Sequence, residues 1–232
     1  MGDCLSRAGL VLAAACLAPG CRLIDAAADD DDPAAAADAA ACDPVPLVSD
    51  DFEDGLIDPA WTSYSDEGTT LEEADGVLRV AFSGDAEAWA GYLTVERHDL
   101  RGGSLGAEIR QVGGMTILEL GSGNVRIQTY ADLATLHATV MVDAETVTSF
   151  ETDYVADVHV HWRMREQEGR IHWETSADGT TWTELDARPA PLPLDDVSIV
   201  VSGGGDVSDA ATEFEAVNIE VADPDCAPAT LL

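Results

Sequence analysis

Three of the five histidines and three of the eleven arginines fall between residues 159 and 172. His159, His161, Arg163 and Arg165 alternate with Val158, Val160, Trp162 and Met164, so a strand there carries one polar and one apolar face. Beyond a turn at Glu166-Gln167-Glu168-Gly169, Ile171 and Trp173 extend the apolar face and His172 and Glu174 the polar one. Imidazole and guanidinium groups on one face can hydrogen-bond sugar hydroxyls or an acidic glycan, the guanidinium through paired planar donors. The other reading of the same residues is cross-strand pairing with the surrounding Asp and Glu. Tyr92, opposite Trp89, Leu93 and Val95 in its strand, is the candidate exposed aromatic for stacking on a sugar. Trp61, Trp89, Trp162 and Trp173 share faces with aliphatic side chains and are assigned to the core.

The elements that must position these side chains are strands. Ser176-Ala177-Asp178-Gly179 has the composition of a hairpin turn, and residues 181–185 return from it. Apolar-alternating runs recur at 76–82, 86–95, 104–112, 116–120, 125–130, 134–142, 145–150, 197–201 and 213–221. Short strands at close spacing, with no long helical pattern, predict an all-β sandwich or barrel. Gly102-Gly103, Gly113-Gly114, Gly121-Ser122-Gly123 and Gly203-Gly204-Gly205 are expected to be turns or bulges. No Gly-x-Ser-x-Gly elbow, zinc-ligand spacing or phosphate loop is present.

The 232-residue chain carries 45 Asp and Glu against 11 arginines and no lysine, a formal charge of −34. Such a surface repels nucleic acid and anionic lipid. Residues 1–20 read as an export signal: Arg7, then an apolar run from Ala8 to Ala18 that is too short to span a bilayer. Leu17-Ala18-Pro19-Gly20-Cys21 resembles a bacterial lipobox with Cys21 as the lipidated residue; Cys16 ends a competing match, and plain secretion is the alternative. The expected location is the bacterial cell envelope or surface, with the membrane touched only through the lipid. Residues 21–46 are a solvated Asp- and Ala-rich tether, residues 47–223 the folded domain and 224–232 a tail. Cys42 and Cys226 bracket the domain in an oxidising compartment. A bridge between them would contribute about 5 kcal/mol in the chain-entropy model; two free thiols are the other reading.

Residues 50–61 (from Asp50-Asp51-Phe52-Glu53 to Trp61), then Gly76 to Val80, Trp162 to Arg165, Ile171 to Trp182 and Phe214 to Val221 follow one another in a familiar order. Over roughly residues 48–222 the chain resembles the concanavalin A-like lectin/glucanase superfamily, especially the laminin-G-like domains of bacterial surface lipoproteins. The resemblance implies a two-sheet antiparallel jelly-roll sandwich, a concave face that often holds carbohydrate, and in some members calcium. It implies a glycan or cell-surface polysaccharide as partner and Asp51, Glu53 and Asn218 as structural calcium ligands, oxygen donors suited to a hard cation; a solvated edge is the alternative. The glucanase members carry Glu-x-Asp-x-(x)-Glu on one strand. The nearest match, Glu151-Thr152-Asp153-Tyr154-Val155-Ala156, lacks the second glutamate, so the expectation is a non-catalytic binding domain. A structural or adhesive domain and a divergent glycoside hydrolase are the competing expectations.

Overall fold

The computed structural model describes residues 45–83, 87–205 and 211–222. Cys21, Cys42 and Cys226, and with them the lipidation and disulfide expectations, lie outside the described residues. The described chain is all-β, two antiparallel sheets stacked as a sandwich, as the alternation predicts.

Fifteen strands are described: β1 (Val45–Asp50), β2 (Trp61–Ser65), β3 (Thr69–Ala74), β4 (Val77–Phe82), β5 (Ala88–Thr94), β6 (Ser104–Gln111), β7 (Met115–Ser122) and β8 (Val125–Ala131), then β9 (Thr135–Val142), β10 (Glu145–Asp153), β11 (His161–Gln167), β12 (Arg170–Ser176), β13 (Thr183–Pro189), β14 (Ser198–Gly205) and β15 (Thr212–Val221). One sheet runs β13-β12-β11-β6-β15-β4-β3, with β1 also on β15; the other runs β10-β9-β8-β7-β14-β5-β2. Both mix neighbours distant in sequence, so long-range pairing holds each sheet together.

The core is the layer between the sheets. Trp162, Met164, Ile171 and Trp173 enter it from β11 and β12, Leu105 and Ile109 from β6, and Leu118, Leu120, Ile127, Leu136 and Val201 from the other sheet. A buried indole N–H needs an acceptor. Trp173 donates to Gln128 O across the sandwich at 3.0 Å, Trp162 to His159 O at 2.9 Å, and Trp61 to Asp50 Oδ2 at 3.1 Å.

The segment from Asp50 to Ala60 shows why aspartates cluster before β2. Asp50, Asp51, Asp54 and Asp58 each accept the backbone N–H two residues on, at Phe52, Glu53, Leu56 and Ala60. This ladder of side-chain turns lets the loop bend without secondary structure.

Three expectations are corrected. Gly203, Gly204 and Gly205 are strand residues of β14, not a turn; the space a side chain would take is filled by Thr212 and Val80 at Gly203 and by Trp89 at Gly204. Strand β11 starts at His161, leaving Val158 half-exposed and His159 buried before the strand. Strand β5 is turned over: Ala90, Tyr92 and Thr94 face the core, whereas Trp89 and Leu93 face outward. Tyr92 is 2 % exposed, stacked on Trp61 at 6.1 Å and donating its hydroxyl to Glu73 at 2.6 Å. It is a core residue, not an exposed platform for stacking on a sugar.

Candidate functional site

The outward face of the seven-stranded sheet holds a groove of about 690 Å³. Period-two alternation builds its floor and walls. From β8 come Arg126, Gln128 and Tyr130, from β7 Met115, Ile117 and Glu119, from β14 Ser198, Val200 and Ser202, and from β5 Trp89 and Leu93. Tyr64 on β2 closes one side. On the other, Tyr130 stacks on His137 with centroids 4.2 Å apart and planes 11° off parallel.

The floor is organised on Glu119. Its carboxyl is 8 % exposed, and Gln128 Nε2 donates to its Oε2 at 2.5 Å. Gln128 Oε1 in turn accepts from Thr139 Oγ1 at 3.4 Å. The Arg126 guanidinium lies 3.8 Å from the other oxygen. Burial pushes Glu119 above the usual carboxylate range; the Gln128 hydrogen bond and the Arg126 charge oppose that rise without cancelling it. Burial also raises the Tyr64 phenol, against a hydrogen bond with Ser202. Arg97 at the rim is fixed by Asp196 at 2.8 Å and by Ser122 Oγ at 3.0 Å. Among the described residues lining the groove, Glu119 is the only carboxylate.

Trp89 supplies the groove's indole, and Gly204 is what lets it lie down. A Cβ on Gly204 would stand 1.9 Å from Trp89 Cε3, so the ring rests flat on bare backbone. Tyr64 and Tyr130 complete a set of aromatic surfaces around planar amide and guanidinium donors. Such a surface fits hydroxyl-rich rings, whose C–H faces stack and whose hydroxyls bond in pairs.

The basic strip lies elsewhere, on the outer face of the eight-stranded sheet. Its charges are paired with each other and with neighbouring carboxylates. Arg163 Nε donates to Glu174 Oε2 at 2.8 Å, and Arg165 holds both Glu174 oxygens at 2.9 and 3.2 Å. Burial alone would raise the Glu174 carboxyl, but the hydrogen bonds from Arg165 and Arg163 outweigh it and bring it below its usual value. His172 Nδ1 sits 2.7 Å from Glu184. His159 Nδ1 accepts the Val155 N–H at 3.2 Å, and burial lowers its basicity. His161 and Arg163 line a second, smaller hollow on that face, together with Asn218.

The residues aimed at calcium are otherwise engaged. Asp51 accepts the Glu53 N–H, the Glu53 carboxylate packs over Gly76, and Asn218 Oδ1 accepts from Ser49 Oγ at 2.8 Å. Calcium takes six to eight oxygens, and as arranged these three side chains do not form such a cage. Among the described residues no group of three or more His, Cys, Asp or Glu is placed to hold a metal. Glu151 stays on edge strand β10, 3.5 Å from His137.

The groove residues other than Trp89 and Tyr92's strand were not singled out by sequence reasoning, although two signals were present. Arg126, Gln128 and Tyr130 alternate with Ile127, Thr129 and Ala131, and Glu119 interrupts the apolar run Ile117-Leu118-Glu119-Leu120.

No known protein family matches the sequence, and no curated protein does. Solved structures do match in fold. One comes from work on endo-acting O-glycanases of the human gut microbiota that initiate mucin breakdown, at TM-score 0.55 and 10 % identity over 78 % of this chain and 91 % of that one. A legume lectin-like domain from Entamoeba histolytica matches at TM-score 0.53 and 8 % identity, over 71 % and 91 %. The VIP36 exoplasmic/lumenal domain, in a Ca2+- and Man2-bound form, matches at TM-score 0.52 and 14 % identity, over 76 % and 90 %. A β-1,3-1,4-glucanase (lichenase) from a mouse hindgut metagenome matches at 0.52 and 11 %, over 76 % and 99 %. The fold is therefore the concanavalin A-like jelly-roll sandwich, as the sequence resemblance implies. That fold serves both lectins and glycoside hydrolases.

Proposed function

We propose that this protein is a non-catalytic glycan-binding module that takes a sugar chain along the groove of its seven-stranded sheet. It is exported and held at the bacterial envelope by lipid on Cys21, or secreted. The observation that carries this reading is the groove's composition: Trp89, Tyr64 and Tyr130 beside Gln128 and Arg126, with Glu119 the lone carboxylate among the described lining residues. Glycoside hydrolysis pairs two carboxyl groups, about 5–5.5 Å apart for retention and 6.5–9.5 Å for inversion. Burial raises the Glu119 carboxyl above its usual range, and in its protonated form it can donate a hydrogen bond to a hydroxyl or ring oxygen. The lectin-like and glycan-bound structures of the same fold support carbohydrate as ligand.

The test is retention of the full chain in gels cast with mucin, mannan, xyloglucan or mixed-linkage β-glucan, alongside a reducing-sugar assay on each polymer. Retention on at least one, weakened by Trp89→Ala, with no release of reducing ends, is the expected result. Release of reducing ends that Glu119→Gln abolishes would make the protein a hydrolase. The gels are run with calcium and with chelator, so that a calcium site of the kind the VIP36 structure holds shows as chelator-sensitive retention.

A further inference from the structure

A polar hollow of about 330 Å³ lies on the opposite side of the sandwich from the groove, where β11, β6 and β15 run side by side. Gly106 is its floor. In register, Gly106 stands between Arg163 on β11 and Asn218 on β15, so one missing side chain opens the hollow. Packing does not demand that glycine. A Cβ there would meet only Trp162 O at 3.5 Å and Asn218 O at 4.0 Å, ordinary contacts, and its backbone is not in the left-handed region. Glycine inside a strand costs stability relative to a residue with a side chain, so the space is kept open at a cost the fold does not require.

The walls are preformed and chemically mixed. Asp178 accepts the N–H groups of Thr180 and Thr181 at 2.9 and 2.7 Å, which fixes the hairpin that carries Trp182. The Trp182 ring lies under the Arg163 guanidinium at 3.9 Å. Glu108 and His161 are cross-strand partners with Oε2 and Nδ1 3.9 Å apart, too far for a hydrogen bond between them. Glu220 uses one oxygen on Ser104 Oγ at 2.9 Å, and Asn218 uses its carbonyl on Ser49, leaving the other carboxylate oxygen and the amide N–H groups. Thus the basic strip, the last-strand Asn218 and the Asp-Gly hairpin, which look unrelated in sequence, meet at one place.

We propose that this hollow is a second carbohydrate site, for a single uncharged sugar ring. Carboxylates accept paired hydroxyls, the Asn218 amide donates, and the stacked Arg163–Trp182 pair walls one side. Glu108 and Glu220 on a chain of charge −34 exclude anionic sugars. Two sites on opposite faces of one sandwich would let one molecule engage a polymer twice, or bridge two chains.

The site is tested on the full chain in the four polymer gels, with Gly106→Val to fill the hollow, Trp182→Ala to strip its wall and Trp89→Ala to disable the groove. Folding of each is checked by circular dichroism. Gly106→Val places a strand-favouring side chain into open space, so it separates blocked binding from lost structure. The expected result is that Gly106→Val and Trp182→Ala each weaken retention about tenfold or more, through lost avidity. Trp89→Ala should keep partial retention that Gly106→Val then removes. If both outer-face variants are retained as wild type while Trp89→Ala alone abolishes retention, the second site is refuted and the groove reading stands. If the wild-type chain is retained by none of the four polymers, both readings fall.

Discussion

Gly204 and Gly203 are neighbours on β14 that face opposite ways, and this makes a ligand-free test of the groove. A Cβ on Gly204 would stand 1.9, 2.2 and 2.6 Å from Trp89 Cε3, Cδ2 and Cζ3. Carbon atoms settle no closer than about 3.5 Å, so the ring must withdraw by about 1.6 Å into the groove. Overpacking of this kind costs about 1–3 kcal/mol, offset by the backbone entropy that alanine saves over glycine, about 0.5–1 kcal/mol. Gly204→Ala should therefore lower stability by about 1–2 kcal/mol while moving one indole. A Cβ on Gly203 instead meets Thr212 Cβ and Oγ1 at 2.9 Å and Val80 Cβ at 3.1 Å. It also disturbs the Thr212 hydroxyl, bonded to Gly113 O at 2.7 Å and to Thr116 Oγ1 at 2.9 Å. Gly203→Ala should cost about 2–3 kcal/mol from the core and leave Trp89 alone. Urea denaturation gives the stabilities, and acrylamide quenching gives indole accessibility. Trp61, Trp162 and Trp173 are buried, and Trp182 lines the hollow on the other sheet, away from Gly204, so Trp89 dominates any change in the quenchable fraction. The reasoning is refuted if Gly204→Ala leaves quenching and near-UV dichroism at wild-type values, or if Gly203→Ala changes quenching as much.

Glu119 keeps a folded pKa above its unfolded one. Its contribution to stability is therefore full at acid pH and is lost as pH rises through the folded value. Glu119→Gln should be more stable than wild type at neutral pH, with the difference shrinking toward pH 4; a constant difference across a pH series of urea melts would contradict this. Tyr92→Phe removes a 2.6 Å hydrogen bond to Glu73 and should cost about 1–2 kcal/mol without changing retention on any glycan; weakened retention at unchanged fold would show that Tyr92 reaches ligand. Glu174→Gln leaves Arg163 and Arg165 without their counter-charge. The arginine side chains are 23 % and 30 % exposed, so solvent screens part of the loss and about 2–3 kcal/mol is expected. Because the folded Glu174 pKa is depressed, that difference should be present at neutral pH and fade as pH falls below the usual carboxylate range, as acid melts would show.

The sandwich was legible wherever one strand face is buried and the other wet. Strand β8 and the β11–β12 hairpin show period two clearly, and apart from the later start of β11 at His161 their elements fall where the pattern puts them. Strands β1, β2 and β3 were not separated from their loops. They bury few side chains: β2 has only Trp61 buried, and β3 alternates half-buried with exposed positions using polar residues. An edge strand held mainly by backbone pairing leaves little mark in side-chain pattern. Strand β5 failed for the opposite reason. Ala88-Trp89-Ala90-Gly91-Tyr92-Leu93-Thr94 is apolar on both faces, so parity cannot say which one meets the core. Choosing the wrong face exchanged Trp89 for Tyr92, placing a core residue on the surface and a groove-lining indole in the core.

The same physics bears on what a basic cluster means in this chain. With 45 carboxylates available to 11 arginines, a guanidinium on the surface finds a partner almost wherever it stands. Of the nine described arginines, eight lie within ion-pair reach of Asp or Glu, and Arg170 donates to the Ala187 carbonyl. A concentration of arginine here marks where the fold has carboxylates to neutralise, as at Glu174. The informative exception runs the other way. Glu119 is an acid set among Ile117, Leu118 and Leu120 on a central strand, where burial penalises its charge and only a 3.8 Å guanidinium and one amide attend it. A fold with so many exposed positions for acids has no need to bury one on the floor of this groove, unless that carboxyl meets something there. The residue to weigh in a strongly acidic chain is therefore the carboxylate inside an apolar run, before any cluster of opposite charge.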